Sequence, residues 1–115
     1  MMEELVESVE GAQGAIFLDK DGEAVQWYPE VDDNRLCLRG AYMAVVVQSC
    51  RRSVEKLGLG KIRHLLFEYE DARFVIEEVD EAYFVLLELS SSANLGQALE
   101  RIQMTVAKVR EEITA

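Results

Sequence analysis

The segment from Tyr83 to Leu89, Y-F-V-L-L-E-L, restricts the fold more than any other part of the chain. Successive side chains of a strand point to opposite faces. Tyr83, Val85, Leu87 and Leu89 therefore face one way, and Phe84 and Leu86 face the other. Both faces are apolar, so this strand, running roughly 82 to 90, needs helices over each of them. Two further strands precede it, roughly 62 to 70 and 72 to 79, and the joining turns are too short for parallel crossovers. The region from Lys61 to Ser90 reads as an antiparallel meander.

The first quarter supplies the other strands. Leu5, Val6 and Val9 mark a short first helix, and V-E-G-A-Q-G-A-I-F-L-D-K-D-G follows from Val9 to Gly22. Gly11 and Gly14 suit a helix end and a close backbone approach. Ala15 to Leu18 runs as a strand, Asp21-Gly22 signals a hairpin, and Gly22 to Tyr28 returns antiparallel.

R-L-C-L-R-G-A-Y at 35 to 42 opens a long helix, whose regular part spans about Arg39 to Leu57. Met43, Val47, Cys50, Val54 and Leu57 recur at helical spacing as one apolar stripe. Leu38, Ala41, Tyr42 and Val45 form a second stripe on another side. Its own sheet covers one side of such a helix, and a second subunit is the simplest cover for the other. Gly58 should stop the helix, with Lys56 in the last turn. A-N-L-G at 93 to 96 opens a final helix, about Ala93 to Ile113, with Leu95, Leu99, Ile102, Val106, Val109 and Ile113 on one stripe. It should seal one face of the sheet together with the first helix. The expected architecture is an α/β sandwich in the order α-β-β-α-β-β-β-α, with a five-stranded antiparallel sheet between helix layers.

With 115 residues, half of them hydrophobic and one proline among them, the chain is expected to be one globular domain over 1–115. A domain of that size buries only about two thirds of its unfolded surface, so an oligomer would help it. Twelve basic against 22 acidic residues give a net charge of −10. That balance repels phosphate backbones and anionic headgroups, which argues against nucleic acid and membrane partners. No apolar run approaches the ~20 residues of a membrane span, and Glu3, Glu4 and Glu7 stand where a signal peptide would be basic. A cytoplasmic protein is expected. Arg51, Arg52, Lys56, Lys61 and Arg63 form a local basic group that reads as a solvated helix face. Cys37 and Cys50 lack His or Cys neighbours at metal-ligand spacing and read as reduced packing residues.

The search for chemistry is mostly negative. Gly60-Lys61 has Glu55 where a phosphate loop needs glycine, and Ile62 where it needs Ser or Thr. Asp19-Lys20-Asp21-Gly22 starts like a calcium loop, but the glycine comes two positions early. Asp32-Asp33-Asn34 has no distant partner for a metal, and Asp33 or Asn34 suits a helix cap. His64, the sole histidine, has no identified nucleophile to serve. No catalytic residue, cofactor or metal site is expected.

Taken in order, G-A-x-G-A-I with D-x-D-G, then L-x-G-A-Y, then A-N-L-G resembles the roadblock/dynein light chain family over nearly the whole chain. The resemblance implies the strand order 2-1-5-4-3, which leaves strands two and three at the edges. It also implies pairing into a continuous two-subunit sheet with the second helices adjacent. Strand three carries Lys61, Arg63 and His64 in its first half and Glu68, Glu70 and Asp71 in its second. Paired antiparallel with its own copy, a register centred on Leu66 sets His64 opposite Glu68. One centred on Phe67 sets His64 opposite Glu70 and Arg63 opposite Asp71. Either gives an attractive cross-strand pair of about 0.2–1 kcal/mol. The competing reading is ordinary protective charge on an open edge. The expected dimer interface is Leu38, Ala41, Tyr42, Val45, Ile62, His64, Leu66, Glu68 and Glu70.

Roadblock-like proteins serve as dimeric scaffolds or regulators of Ras-like GTPases, or as light chains of the dynein motor. This chain resembles the GTPase-regulator branch more than the motor branch, which implies a homodimer that binds a Ras-like small GTPase. Arg35, Arg39, Gln48, Arg51 and Arg52 are the expected exposed contacts on the helix-two side. The matched motif gives neither Arg35 nor Arg39 a catalytic role. The alternative is a structural light chain with no effect on a GTPase cycle; a small-molecule sensor or enzyme is disfavoured because no polar constellation converges.

Overall fold

A computed structural model describes residues 1–30 and 34–114. Its elements run α1 (Met2–Glu7), β1 (Ala12–Asp19), β2 (Ala24–Tyr28), α2 (Arg35–Leu57), β3 (His64–Glu68), β4 (Arg73–Glu78), β5 (Tyr83–Leu89) and α3 (Leu95–Thr114). The strands form one antiparallel sheet in the order β2-β1-β5-β4-β3, as the resemblance implies.

The two-faced strand β5 occupies the centre, between β1 and β4. Val85, Leu87 and Leu89 join Met2, Leu5, Ile102 and Val106 in a core beneath α1 and α3. Phe84 and Leu86 join Ile16, Ile76, Met43 and Val47 in a second core beneath α2. Each face of β5 thus has its own helix layer, and every residue from Phe84 to Leu89 is buried.

Local chemistry sets the turns. Between β1 and β2 the Asp19 carboxylate accepts the N–H groups of Asp21 at 2.9 Å and Glu23 at 3.0 Å. Gly22 takes φ +91° there, a conformation that an L side chain rarely adopts. The acidic start of this segment therefore serves a hairpin. At the other end of the chain, Asn94 Oδ1 accepts the Gln97 N–H at 3.0 Å and caps the first turn of α3.

Several boundaries differ from expectation. Strand three was expected over 62 to 70, and its ladder covers only His64–Glu68. The Tyr69 N–H donates to the Ala72 carbonyl at 2.8 Å, which closes the hairpin and leaves Glu70 in the turn; Ile62 lies before the strand. α2 is helical from Arg35, where the 35-to-42 segment was expected to open it, so regular helix starts one turn before Arg39; it stops before Gly58, which has φ +67°, as expected. Its last turns run past the sheet, so Val54 is only half-buried and Leu57 is 69% exposed. Ile113 projects in the same way at the end of α3. Asn34 occupies the N-cap position of α2, but in a left-handed conformation and without a side-chain cap bond. Asp32 and Asp33 lie outside the described residues.

Candidate interaction surface

α2 lies on the sheet through small residues. Gly40 and Ala44, four apart, are buried against β1. A Cβ on Gly40 would come within 2.8 Å of the Ile16 side chain and 3.1 Å of Leu18. Helix and sheet therefore approach more closely here than any larger residue permits.

Two ion pairs pin the helix. Arg39 Nη1 donates to both carboxylate oxygens of Glu88, at 2.7 and 2.9 Å. Glu88 continues the Phe84–Leu86 face of β5 and is the one buried charged residue among those described, at 6% exposure. Twelve positions along α2, Arg51 Nε donates to Glu78 at 2.7 Å, and its guanidinium also reaches the carbonyls of Asp80 and Glu81. These bonds hold the helix to β5, to β4 and to the β4–β5 turn.

What remains outward is apolar. Leu38, Tyr42 and Val45 are 58%, 68% and 66% exposed, at the spacing of one helix face. Ala41 instead lies half-buried against the backbone of Gly22 in the β1–β2 turn. On the sheet, β3 pairs only with β4, so its other edge is open. Leu65 and Phe67 turn toward the α2 core, while His64, Leu66 and Glu68 are exposed on the opposite face. The structure thus sets Leu38, Tyr42, Val45, His64, Leu66 and Glu68 outward, with Ile62 half-buried beside the strand and Glu70 in the turn beyond it.

The expected polar contacts divide. Arg35 and Arg52 are exposed near the two ends of α2. The expectation that all five stand exposed fails at Gln48 and Arg51, both half-buried: Gln48 donates to the Lys20 carbonyl at 3.4 Å, and Arg51 is engaged as described. Arg39 is partly exposed but committed to Glu88. The basic group is likewise mixed in charge, because Arg51, Arg52 and Lys61 share a cavity of ≈ 660 Å³ with Glu55, Glu78 and Glu81. Sequence spacing missed both carboxylate partners, since Glu78 and Glu88 meet α2 only through the register of β4 and β5.

A second cluster lies under the β3 edge on the α3 side. His64 Nδ1 is 3.9 Å from Glu77 Oε2, an atom that is buried and has no hydrogen-bond partner. Burial raises the Glu77 carboxyl above its ordinary value, and the nearby His64 and Arg110 oppose that shift. Arg110 itself donates to the carbonyls of Val79 and Glu78 at 2.7 and 2.9 Å. Burial also raises the Cys37 thiol, and both Cys37 and Cys50 are free. Among the described residues no group of His, Cys, Asp and Glu is placed to hold a metal ion, and no helix is long and apolar enough to cross a membrane.

The sequence profile described as the Roadblock/LC7 domain matches residues 1–88. The Roadblock/LC7 domain from Streptomyces avermitilis superposes with a TM-score of 0.90 at 17% identity, covering 99% of this chain and 95% of that one. MglC from Myxococcus xanthus is 28% identical with a TM-score of 0.68, over 96% of this chain and 94% of its own. MglB from the same organism gives a TM-score of 0.86 at 13% identity, over 96% and 89%. At 17% and 13% identity the likeness is one of fold. No curated protein matches the chain in sequence.

Proposed function

This chain belongs to the Roadblock/LC7 domain family, and on that premise we propose that it is a homodimeric scaffold that binds a Ras-like small GTPase in the cytoplasm and modulates or localises it. The family is one of scaffolds and light chains, not of enzymes. One observation carries the reading: an exposed apolar stripe, Leu38, Tyr42 and Val45, on the helix layer of a sheet whose β3 edge is open. Joining two β3 edges would extend the sheet and, with the second helices adjacent as the family resemblance implies, bury that stripe and pair the edge in one step. One similar structure is described as MglB with a tetrameric arrangement, so self-assembly occurs in that relative.

The GTPase would meet the α2 side of the dimer, a rigid platform because Arg39–Glu88 and Arg51–Glu78 fix both helices to the sheet. Arg35 and Arg52 are the exposed charges placed to contact it. Arg39 is poorly suited to act as an arginine finger, since withdrawing it would leave a buried carboxylate uncompensated. The reading is therefore one of positioning rather than of donated catalysis.

The test begins with light scattering, which should report twice the 13.0 kDa chain mass. A pull-down from native lysate then identifies the GTPase, and binding is measured with the GDP and GTP-analogue forms. A regulator must bind the two states unequally, because equal affinity shifts no equilibrium. Equal binding with unaltered hydrolysis and exchange would instead identify a structural light chain, and recovery of no GTPase would remove the assignment.

A further inference from the structure

We infer that His64 is a proton-dependent clasp of the homodimer, held when protonated between Glu77 of its own subunit and Glu68 of the partner subunit. The inference rests on the dimer reading above and adds a register and a regulator to it.

The register follows from β3. The strand is five residues long, His64–Glu68, and Leu66 is its midpoint. Pairing centred on Leu66 engages all five residues with the second copy. It sets the exposed Leu66 against itself and Leu65 against Phe67. Pairing centred on Phe67 would set Leu66 against Glu68 and His64 against Glu70, which lies in the turn beyond the strand. The first arrangement matches apolar with apolar and charge with countercharge.

Within each subunit, His64 stands opposite Glu77 and Glu68 opposite Arg73 in the β3–β4 ladder. The corresponding charged atoms are 3.9 and 3.8 Å apart. Joined through a dimer centred on Leu66, these pairs line up into a row across four strands: Glu77 and His64 of one subunit, then Glu68 and Arg73 of the other. Each dimer has two such rows, one on either side of the Leu66 pair. The signs alternate along a row only when His64 carries a proton. A neutral imidazole leaves Glu77 and the partner's Glu68 facing each other across it.

Charged groups of both signs surround the ring. Glu77 Oε2 is buried with no hydrogen-bond partner, and a protonated ring is the nearest cation in the ladder. The cavity beside His64 also holds Glu78, Asp80 and Glu81, against Lys61, Arg63 and Arg110; Cys50 lines the space on the α2 side. Arg110 is already engaged by backbone carbonyls. Histidine ordinarily changes charge between pH 5 and 8. Because the dimer adds a carboxylate to the protonated ring, association takes up protons, and the dimer tightens as pH falls through that range.

Sedimentation equilibrium at pH 5.5 and pH 8.0, in low salt, measures the dimer dissociation constant of the wild type, His64→Gln, Glu68→Gln and Glu77→Gln. A fall in pH also relieves the general repulsion between acidic subunits, so the clasp is read from the difference between the wild type and His64→Gln. Two cross-strand pairs per dimer predict that the wild type tightens about 3- to 10-fold more than His64→Gln. Glu68→Gln should lose most of the same excess, and the double variant should lose no more than either single one. Glu77→Gln should shrink the excess without abolishing it. All three positions lie outside the two cores, so circular dichroism should show the wild-type fold. A dimer whose pH response is unchanged by His64→Gln overturns the clasp and leaves the dimer reading intact. A chain monomeric at micromolar concentration at both pH values overturns both.

Discussion

Arg39→Ala separates a residue that builds the platform from one that contacts a partner. Glu88 is 6% exposed, and its neighbours across the sheet are Gly14 on β1 and Phe74 on β4, neither of which offers a charge. Truncating Arg39 removes both bonds that its Nη1 makes to the Glu88 carboxylate. Breaking a fully buried ion pair by deleting one partner costs about 3–5 kcal/mol. The Arg39 side chain is 42% exposed, so water can enter where the guanidinium was. That lowers the expected loss to about 2 kcal/mol, or a fall in Tm of about 8 °C for a chain of this size. Glu88→Leu combined with Arg39→Met should recover most of the loss, because an apolar pair of similar volume replaces a desolvated charge pair at little cost. Urea unfolding followed by circular dichroism, at one fixed protein concentration because dimerisation adds to apparent stability, measures both variants against the wild type. An Arg39→Ala protein within about 0.5 kcal/mol of wild type would refute the structural role, and loss of GTPase binding in that stable variant would make Arg39 a contact residue.

Val47→Asp should unfold the subunit, since Val47 is 0% exposed and the charge would have no partner, whereas Tyr42→Asp or Val45→Asp should keep the wild-type circular dichroism and yield a monomer. The reverse pattern would mean that the two stripes of α2 are assigned to the wrong faces. Gly40→Ala should destabilise by about 1–3 kcal/mol through overpacking against Ile16, although alanine is the better helix former; an increase in Tm would show that α2 lifts off β1 freely. Glu77→Gln should be more stable than wild type at pH 7. Burial raises the folded-state value above 4.5, so this group favours folding below its unfolded value and loses that contribution as pH rises through the folded one. The advantage should vanish near pH 4, and urea titrations showing it unchanged there would contradict the burial.

Element order was legible because it depends on period and punctuation. The alternation in Tyr83–Leu89 demanded two helix layers, and both cores contain the residues that this alternation assigned to each face. Boundaries were less legible, since apolar spacing continues beyond the point at which packing stops. Leu57 and Ile113 keep the helical spacing of buried residues yet project past the sheet, and no local signal marks where a neighbouring element ends. Strand three shows the same limit at Glu70, where a bond between Tyr69 and Ala72 decides the turn.

The surface divided along similar lines. The outward stripe of Leu38, Tyr42 and Val45 was visible because an apolar residue needs only a face, and helical spacing defines faces. The arginines were misjudged because a guanidinium needs a particular partner, and here the partner lies 49 residues away for Arg39 and 27 away for Arg51. Both partners are glutamates on strand faces that are otherwise apolar toward α2, Glu78 beside Phe74 and Ile76 on β4 and Glu88 beside Phe84 and Leu86 on β5. A carboxylate at a core-facing position is costly without a cation, so each such glutamate calls for a basic residue on the covering helix. Applied to β5, that rule singles out Glu88 from alternation alone, and α2 is the helix that must answer it. Arginines of a covering helix are therefore first candidates for ion pairs with the sheet beneath, and contact with another protein is to be sought among those, such as Arg52 in this chain, that stand exposed away from such a glutamate.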